Sequence, residues 1–467
     1  MIEAFDIIFF SFAGLFILIS IFLSDVVNVL RRNNFIRDKE FEDEILATRA
    51  VLLSLSALAL LIYFGYPSVE RLGLTAHILE WINLIVRWAH VVLGIAWIGA
   101  SFYFIFLENS LNRTKNLRDE LAGNLWAIHG GGFYYVEKLK NAPGVLPEKL
   151  HWFKYEAYFT WLTGMLLLTL VYYLNAKSFM VDPGVSDITP GTAILIGVTS
   201  LLLGWFCYDL MCRSPLLAYP RIFGALGFIL LVSISMILTH YLSGRAAFIH
   251  VGALLGTIMA GNVFFVIIPA QKELVSAAKK NLPPDPRKGT YAGLRSLHNN
   301  YITLPVIFVM ISNHFPGTFA PTYNWAILAV LTLGSVAVRH YINLYEKGKY
   351  ASKYLFFGAI SLFALVFITA PRPKKTDSMP VSFSEVQPII QKRCLSCHSS
   401  NPTDDIQKIA PNGVLLETPE EIAKMSDRIL FRVVQTKTMP QGNKTGITDE
   451  ERDKIGRWIH QGARISE

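Results

Sequence analysis

The chain has 467 residues, of which 52% are hydrophobic and 17% charged, and it carries a formal net charge of +8. That balance excludes an ordinary soluble multidomain enzyme and requires another solvent for much of the sequence. The positive charge is not a nucleic-acid signature, because no soluble basic patch with interleaved aromatics accompanies it.

Apolar runs long enough to cross a hydrocarbon layer, about 20 residues at 1.5 Å per residue, recur along the chain. Ten are predicted: Ile7 to Leu23, Val51 to Phe64, Leu84 to Leu107, Tyr155 to Leu174, Thr192 to Met211, Ile222 to His240, Ala246 to Ile268, Tyr301 to His314, Tyr323 to Leu344 and Tyr354 to Ala370. The second and eighth are short. Lys and Arg concentrate in cytoplasmic loops, so their placement orients the bundle. Alternate loops hold five between Arg31 and Arg49, seven between Arg113 and Lys154, two at Arg213 and Arg221, six between Lys272 and Arg295 and three between Lys347 and Lys353. The loops between these hold only Arg71, Lys177 and Arg245. Ten spans then place both termini in the periplasm of a bacterial inner (cytoplasmic) membrane. The first segment, with no basic start and no small-residue cleavage site, reads as an uncleaved anchor.

After Ala370 the composition changes. Pro371, Pro373 and Pro380 punctuate a polar linker at 372–379, which divides a membrane bundle, 1–371, from a soluble domain, 380–467. In that domain Cys394-Leu-Ser-Cys397-His398 supplies two thiols for covalent attachment to haem vinyl groups and an imidazole for the iron. Against the competing readings, a redox disulfide or half a zinc site, stand the His in register and the absence of a second C-x-x-C. Met439, followed by Pro440, is the expected second axial ligand of haem c, with Met425 as competitor in a predicted helix. Phe383, Val386, Ile389 and Ile390 before the Cys pair, and Ile455, Trp458 and Ile459 after it, predict bracketing helices. The fold class expected is therefore all-α: a polytopic transmembrane helical bundle followed by a small class I-like cytochrome c domain. Haem attachment of this kind takes place outside the bacterial cytoplasm, in agreement with the loop charges.

Ionisable residues inside a span are expensive and mark function by default, with helix-end snorkelling as the alternative. His90 lies on one helical face with Asn83, Arg87, Gly94, Trp97 and Ser101. Arg87, a turn away, is placed to pair with a haem propionate. His240, His250 and His314 fall at the same predicted membrane level as His90. Bis-His ligation of one or two b-type haems is the sharper reading of these four, with His90 and His250 as the main iron ligands; interfacial histidines bonded to loops are the plainer one. No His-His pair occurs, which argues against a haem-copper oxygen-reducing centre.

The stretch between Asn112 and Tyr155 is too long and aromatic to be a mere connector. It contains His129-Gly-Gly-Gly-Phe133-Tyr134, Glu137, Lys138 and His151-Trp152-Phe-Lys-Tyr-Glu156. A short amphipathic helix over Leu117, Leu121, Leu125 and Ile128 is predicted to end in the three glycines, which allow positive φ and close approach of a bound group; a plain helix cap and flexible turn is the alternative. Asn262, Lys272, His298, Asn299, Asn300, Tyr301, Arg339, His340 and Asn343 reach the same cytoplasmic side in the ten-span arrangement. They suit a planar, anionic, hydrogen-bond-rich substrate.

Taken in order, Arg87-Trp-Ala-His-Val-Val-Leu-Gly-Ile-Ala-Trp-Ile-Gly-Ala-Ser-Phe-Tyr-Phe104, His129-Gly-Gly-Gly-Phe-Tyr134, His151-Trp-Phe-Lys-Tyr-Glu-Ala-Tyr158 and His298-Asn-Asn-Tyr301 resemble the bacterial membrane-bound urate hydroxylases, or urate dehydrogenases, over both bundle and tail. The resemblance implies oxidation of urate to 5-hydroxyisourate with oxygen from water, and electrons passed to cytochrome c. On that footing urate is stacked by Phe133, Tyr134 or Trp152, hydrogen-bonded by Asn299, Asn300 and Arg339, and relieved of a proton by His129 or His151. Electrons then cross by bundle haem to the fused haem c, and on to a soluble cytochrome c or terminal oxidase. An alternative places the urate site beside the periplasmic histidines. Two other classes compete: a cytochrome b-like quinol:cytochrome c module without urate chemistry, and a haem-dependent sensor or assembly factor.

Overall fold

The computed structural model describes residue 53, residues 75–370 apart from 115, 141 and 144, and residues 379–465. The first two predicted spans, the chain's N-terminus and the linker at 372–378 lie outside the described residues. Helices follow at the positions of the third to tenth predicted segments. They are α1 (Thr75–Ser110), α2 (Tyr155–Leu167, continued by a π-helical turn Leu168–Tyr173), α3 (Pro190–Arg213), α4 (Pro220–Tyr241), α5 (Gly244–Asn262, continued to Lys279), α6 (Pro286–Ser312), α7 (Asn324–Tyr345) and α8 (Lys353–Ile368). Five of these, α1, α3, α4, extended α5 and α7, are long and apolar enough to cross a membrane, which makes this a multi-pass membrane protein. α6 is as long but carries buried Arg295, Asn299 and Asn300.

Local chemistry sets the helix starts. Thr189 accepts from the Thr192 N–H ahead of Pro190 at the first turn of α3. Asp285 does the same for Arg287 ahead of Pro286 in α6. Both satisfy amides that a helix N-terminus leaves unpaired. α5 is the innermost helix, with most side chains from Ala246 to Asn262 buried. Small residues let its neighbours close on it: a Cβ at Gly204 of α3 would stand 2.4 Å from Leu254.

One prediction fails here. The segment read as an amphipathic helix over Leu117, Leu121, Leu125 and Ile128 is instead a β-hairpin, β1 (Leu121–His129) paired antiparallel with β2 (Gly132–Leu139). The glycines decide it, because Gly130 and Gly131 take φ of 57° and 81°, the two consecutive positive values that a tight two-residue hairpin turn needs. His129 then pairs with Gly132, and Trp126 meets Tyr135 at 4.6 Å between ring centroids. The described residues are thus mostly helical rather than all-α.

The tail, 379–465, packs α9 (Phe383–Arg393), α10 (Pro419–Lys424), a helical run Ser426–Gln435 and α11 (Asp449–His460) around Val386, Ile390, Ile422, Val433, Ile455 and Trp458. α9, α10 and α11 each begin with a capping box: Ser382 with Glu385, Thr418 with Glu421, Thr448 with Glu451. Met425 is not within a helix as predicted but at the junction of α10 with the next short turn. The described residues from Asn83 onward form one compact unit, tail included. The tail rests on the short helix Ala176–Phe179 and the residues after it. Gly442, at φ 55°, comes so close to this segment that a Cβ would lie 2.9 Å from the Val181 carbonyl oxygen. Ser243, at the start of α5, holds the same segment by bonds to the carbonyls of Phe179 (2.7 Å) and Met180 (2.8 Å).

Candidate functional site

The inner halves of α3, α5, α6 and α7 bury a polar network. Arg295 is fully buried and donates to Asp209 Oδ1 (2.5 Å), to Asn262 Oδ1 (3.0 Å) and toward the Tyr291 hydroxyl. Asn262 donates to the Tyr208 hydroxyl (2.9 Å) and to Asn299 Oδ1 (2.8 Å), and Asn299 donates to the Met259 carbonyl (3.0 Å). Tyr208 shares a 2.9 Å bond with Nδ1 of His298, whose ring stacks on Phe223. Here a buried cation has its carboxylate, and the pair is tied down by further hydrogen bonds.

Next to it, Arg339 is also 0% exposed but has no such partner. Its Nε donates to Asn300 Oδ1 (2.5 Å), which is steadied by Asn343 at 3.4 Å, and its guanidinium lies 4.0 Å from the centre of the Phe102 ring. Both terminal nitrogens are buried without a hydrogen-bond partner. Glu346 acts on Arg339 electrostatically, yet it accepts from Asn109 (2.8 Å). A buried guanidinium with its fork unfilled costs several kcal/mol unless an acceptor completes it, roughly 1–3 kcal/mol for each unpaired group. A planar anion with adjacent acceptors fits that fork in two parallel bonds, while the Phe102 ring holds the guanidinium flat.

Of the predicted substrate residues, the structure joins Asn300 and Arg339 directly and sets Asn299 in the neighbouring network. His129, Phe133 and Tyr134 are exposed at the hairpin turn, Phe133 by 80%. His151 is exposed and edge-on to Phe153, which in turn meets Phe104. Trp152 is partly buried against the bundle core. Among the described residues no ring contact or hydrogen bond ties the hairpin residues to Arg339. Sequence reasoning missed Arg295, Asp209, Tyr208 and Phe102. Asp209, a carboxylate within an apolar segment, was the available signal.

The histidines predicted for one membrane level separate. His240 and His314 are exposed, the first edge-on to Tyr241. His250 is fully buried, with Nδ1 on the Ala246 carbonyl (2.8 Å), and His90 is partly buried, with Nδ1 on the Thr160 carbonyl (3.0 Å). Arg87 is near the surface of α1 and bonds to Asn83 (3.2 Å).

In the tail, Cys394, Cys397, His398 and Met439 line one cleft, shared with Arg393, Asp404 and Lys444. Met425 does not line it. Nδ1 of His398 bonds to the Val414 carbonyl (3.0 Å), so the proton sits on Nδ1 and Nε2 is left for a metal. Burial pushes the Cys394 thiol up to about 12 and raises Cys397 as well. These residues fit a covalently attached haem with a His–Met ligand pair. Burial opposes ionisation of Asp404, but N–H bonds from Gln407 and Ile406 together with the Lys444 ammonium hold its carboxyl below the usual range.

A bundle of apolar helices around a buried polar network defines a multi-pass membrane protein. The chain belongs to the Urate oxidase N-terminal family, whose model matches residues 76–370. The match covers the described bundle from α1 to α8 and stops short of the tail. No curated protein and no solved structure matches the chain.

Proposed function

We propose that the protein oxidises urate within the bundle and passes the electrons to a haem c held by the tail. The observation that carries the reading is the buried, unfilled fork of Arg339, together with the family to which the bundle belongs. Urate is a planar anion with neighbouring oxygen and nitrogen acceptors, the shape that a guanidinium fork takes in two parallel bonds. Asn300 fixes the fork, Phe102 supports it and Asn299 closes the adjoining network.

Urate and water yield 5-hydroxyisourate with the loss of two electrons and two protons. The first proton acceptor is His298, whose imidazole is built into this network through Tyr208; the exposed His129 and His151 serve proton exit. A haem c would be held by Cys394, Cys397, His398 and Met439, and would supply one-electron acceptor chemistry there, with a soluble cytochrome c or a terminal oxidase as the external acceptor. The charge of the loops orients the tail to the periplasm of a bacterial inner membrane.

Anaerobic addition of urate to the purified protein tests this reading. Reduction of the covalent haem without added quinol is expected. Reduction by quinol and not by urate would replace the reading with a quinol:cytochrome c module.

A further inference from the structure

The short helix Ala176–Phe179 belongs to the bundle, where Ala176 packs in the core, yet one of its residues lines the cleft of the tail. That residue is Ser178, which shares the cleft with Cys394, Cys397, His398 and Met439. It is 7% exposed, and its hydroxyl is buried with no hydrogen-bond partner. Gln441, close behind Met439 in the chain, lines the same cleft from the tail, and its Nε2 is likewise buried and unpartnered.

The charged side chains of the cleft, together with Thr445 and His398, are already engaged. Arg393 donates to Glu451 (3.0 Å) and toward the Thr445 carbonyl, Lys444 to Asp404 (2.7 Å), Thr445 to the Arg393 carbonyl (2.9 Å) and His398 Nδ1 to the Val414 carbonyl (3.0 Å). Among the described residues, Ser178 Oγ and Gln441 Nε2 are the two side-chain atoms of this cleft that are buried without a partner. Buried polar atoms of native chains are nearly always paired, so the two point to an acceptor from outside the chain.

These atoms come from the two sides of one seam. Gly442, next to Gln441, sits so close to the short helix that a Cβ would stand 2.9 Å from the Val181 carbonyl oxygen and 3.3 Å from that of Ser178. A glycine at φ 55° lets the surfaces meet at this spacing. Both unpartnered atoms are donors, since a hydroxyl offers one proton and a primary amide two. Once thioethers are formed and His398 and Met439 take the iron, the strong acceptors left on a c-type haem are its propionate carboxylates.

We propose that Ser178 of the bundle and Gln441 of the tail donate to a propionate of the covalently attached haem, so that the haem site is complete only while the tail is seated on the bundle. This rests on the haem reading of the tail and is independent of the substrate. Donors on the carboxylate offset its negative charge, which favours the reduced iron, and a surface that excludes water acts in the same direction. The bundle thereby sets the potential of a haem to which it contributes neither a thioether nor an iron ligand.

The test uses the purified full-length protein, with the covalent haem titrated between dithionite and ferricyanide in the absence of urate. Ser178→Ala should shift the reduction equilibrium about threefold toward the oxidised form, roughly 28 mV at 59 mV per tenfold, with the covalent haem count and its absorption spectrum as in the wild type. Gln441→Leu should move it the same way. Gly442→Val, which parts the seam, should lower the potential at least as far, and Ser178→Ala added to it should change nothing more. In resonance Raman spectra the propionate bending band of the wild type should respond to D2O, and Ser178→Ala should displace it. The proposal is overturned by a Ser178→Ala potential equal to that of the wild type, by an undisplaced propionate band, or by effects of Ser178→Ala and Gly442→Val that add in full. If Ser178→Ala does not fold, the Gln441→Leu potential and the response of the wild-type band to D2O decide. Protein without covalent haem would sink the haem reading itself, whereas covalent haem with an unmoved potential sinks this inference alone.

Discussion

Asn300 accepts from Nε of Arg339 at 2.5 Å, and this bond anchors a fully buried guanidinium whose two terminal nitrogens have no other partner. The relationship separates the two buried arginines of α6 and α7 by purpose. Arg295 carries its own counter-charge in Asp209 at 2.5 Å, whereas Arg339 is left incomplete.

Arg339→Lys keeps the charge and loses the fork. Two charge-assisted bonds at about 1.5–3 kcal/mol each, partly replaced by the ammonium, give an expected rise of roughly 10–100-fold in KM for urate. Steady-state kinetics with a cytochrome acceptor checks it, and an unchanged KM would remove Arg339 from the substrate site.

Removing the partner of one buried cation and removing the other cation itself should have opposite consequences for stability. Asp209→Asn leaves Arg295 buried without its counter-charge and should cost about 3–5 kcal/mol. Arg339→Met removes an uncompensated charge, so the unliganded protein should be as stable as wild type or more so. Urate should raise Tm in the wild type and not in Arg339→Met, since only a ligand that binds the native state stabilises it. Thermal unfolding in detergent with and without urate reads all three.

The tail should weaken in acid. Burial works against ionisation of Glu451, but Arg393 and the Thr448 amide outweigh it and hold the carboxyl below the usual range. A carboxyl with a depressed folded pKa gives stability that is present in full above its unfolded value, about 4.3, and fades as the pH falls through the folded one. Thermal unfolding followed at the covalent haem should therefore show a falling Tm below about pH 4. Glu451→Gln, which loses the ion pair and part of the cap, should lower stability by about 1–2 kcal/mol at pH 7 and flatten that slope.

Gly442 tests the seat of the tail on the bundle. Gly442→Val adds a side chain whose Cβ alone would lie 2.9 Å from the Val181 carbonyl oxygen, at a φ of 55° that valine resists. The tail should lift from its seat. Stopped-flow reduction of the covalent haem by urate should slow by tenfold or more, with the haem content and KM for urate unchanged. An unaltered rate would mean that electrons do not pass at this contact.

Much of this was legible along the chain because it depends on neighbours in sequence. The haem motif at Cys394, Cys397 and His398 is local, and Met439 reaches the cleft ahead of Met425 because a proline-flanked loop can fold over it while Met425 is tied to a helix junction. The apolar segments from α1 to α8 were legible too, since a run of apolar residues has few places to go. The hairpin was misread because a spacing of leucines at helical period coincided with a strand whose turn, Gly130-Gly131, decides the outcome. The two amide side chains Asn299 and Asn300 pointed to the polar pocket, but nothing in their spacing tells that one serves Arg295's network and the other Arg339.

By itself the sequence determined the solvent each segment needs, the helical segments and the Cys394-x-x-Cys397-His398 motif, because apolar period, cap residues and a short motif act within a few residues. Only the tertiary structure decided which of four histidines is buried and which arginine lacks a partner. Those outcomes depend on side chains that meet across helices, as Arg339 meets Asn300 at 39 residues' distance and Gly197 meets His250 at 53. Burial then sets the cost of an unmade bond, and that cost separates a guanidinium whose two terminal nitrogens lack partners from one that already has its carboxylate.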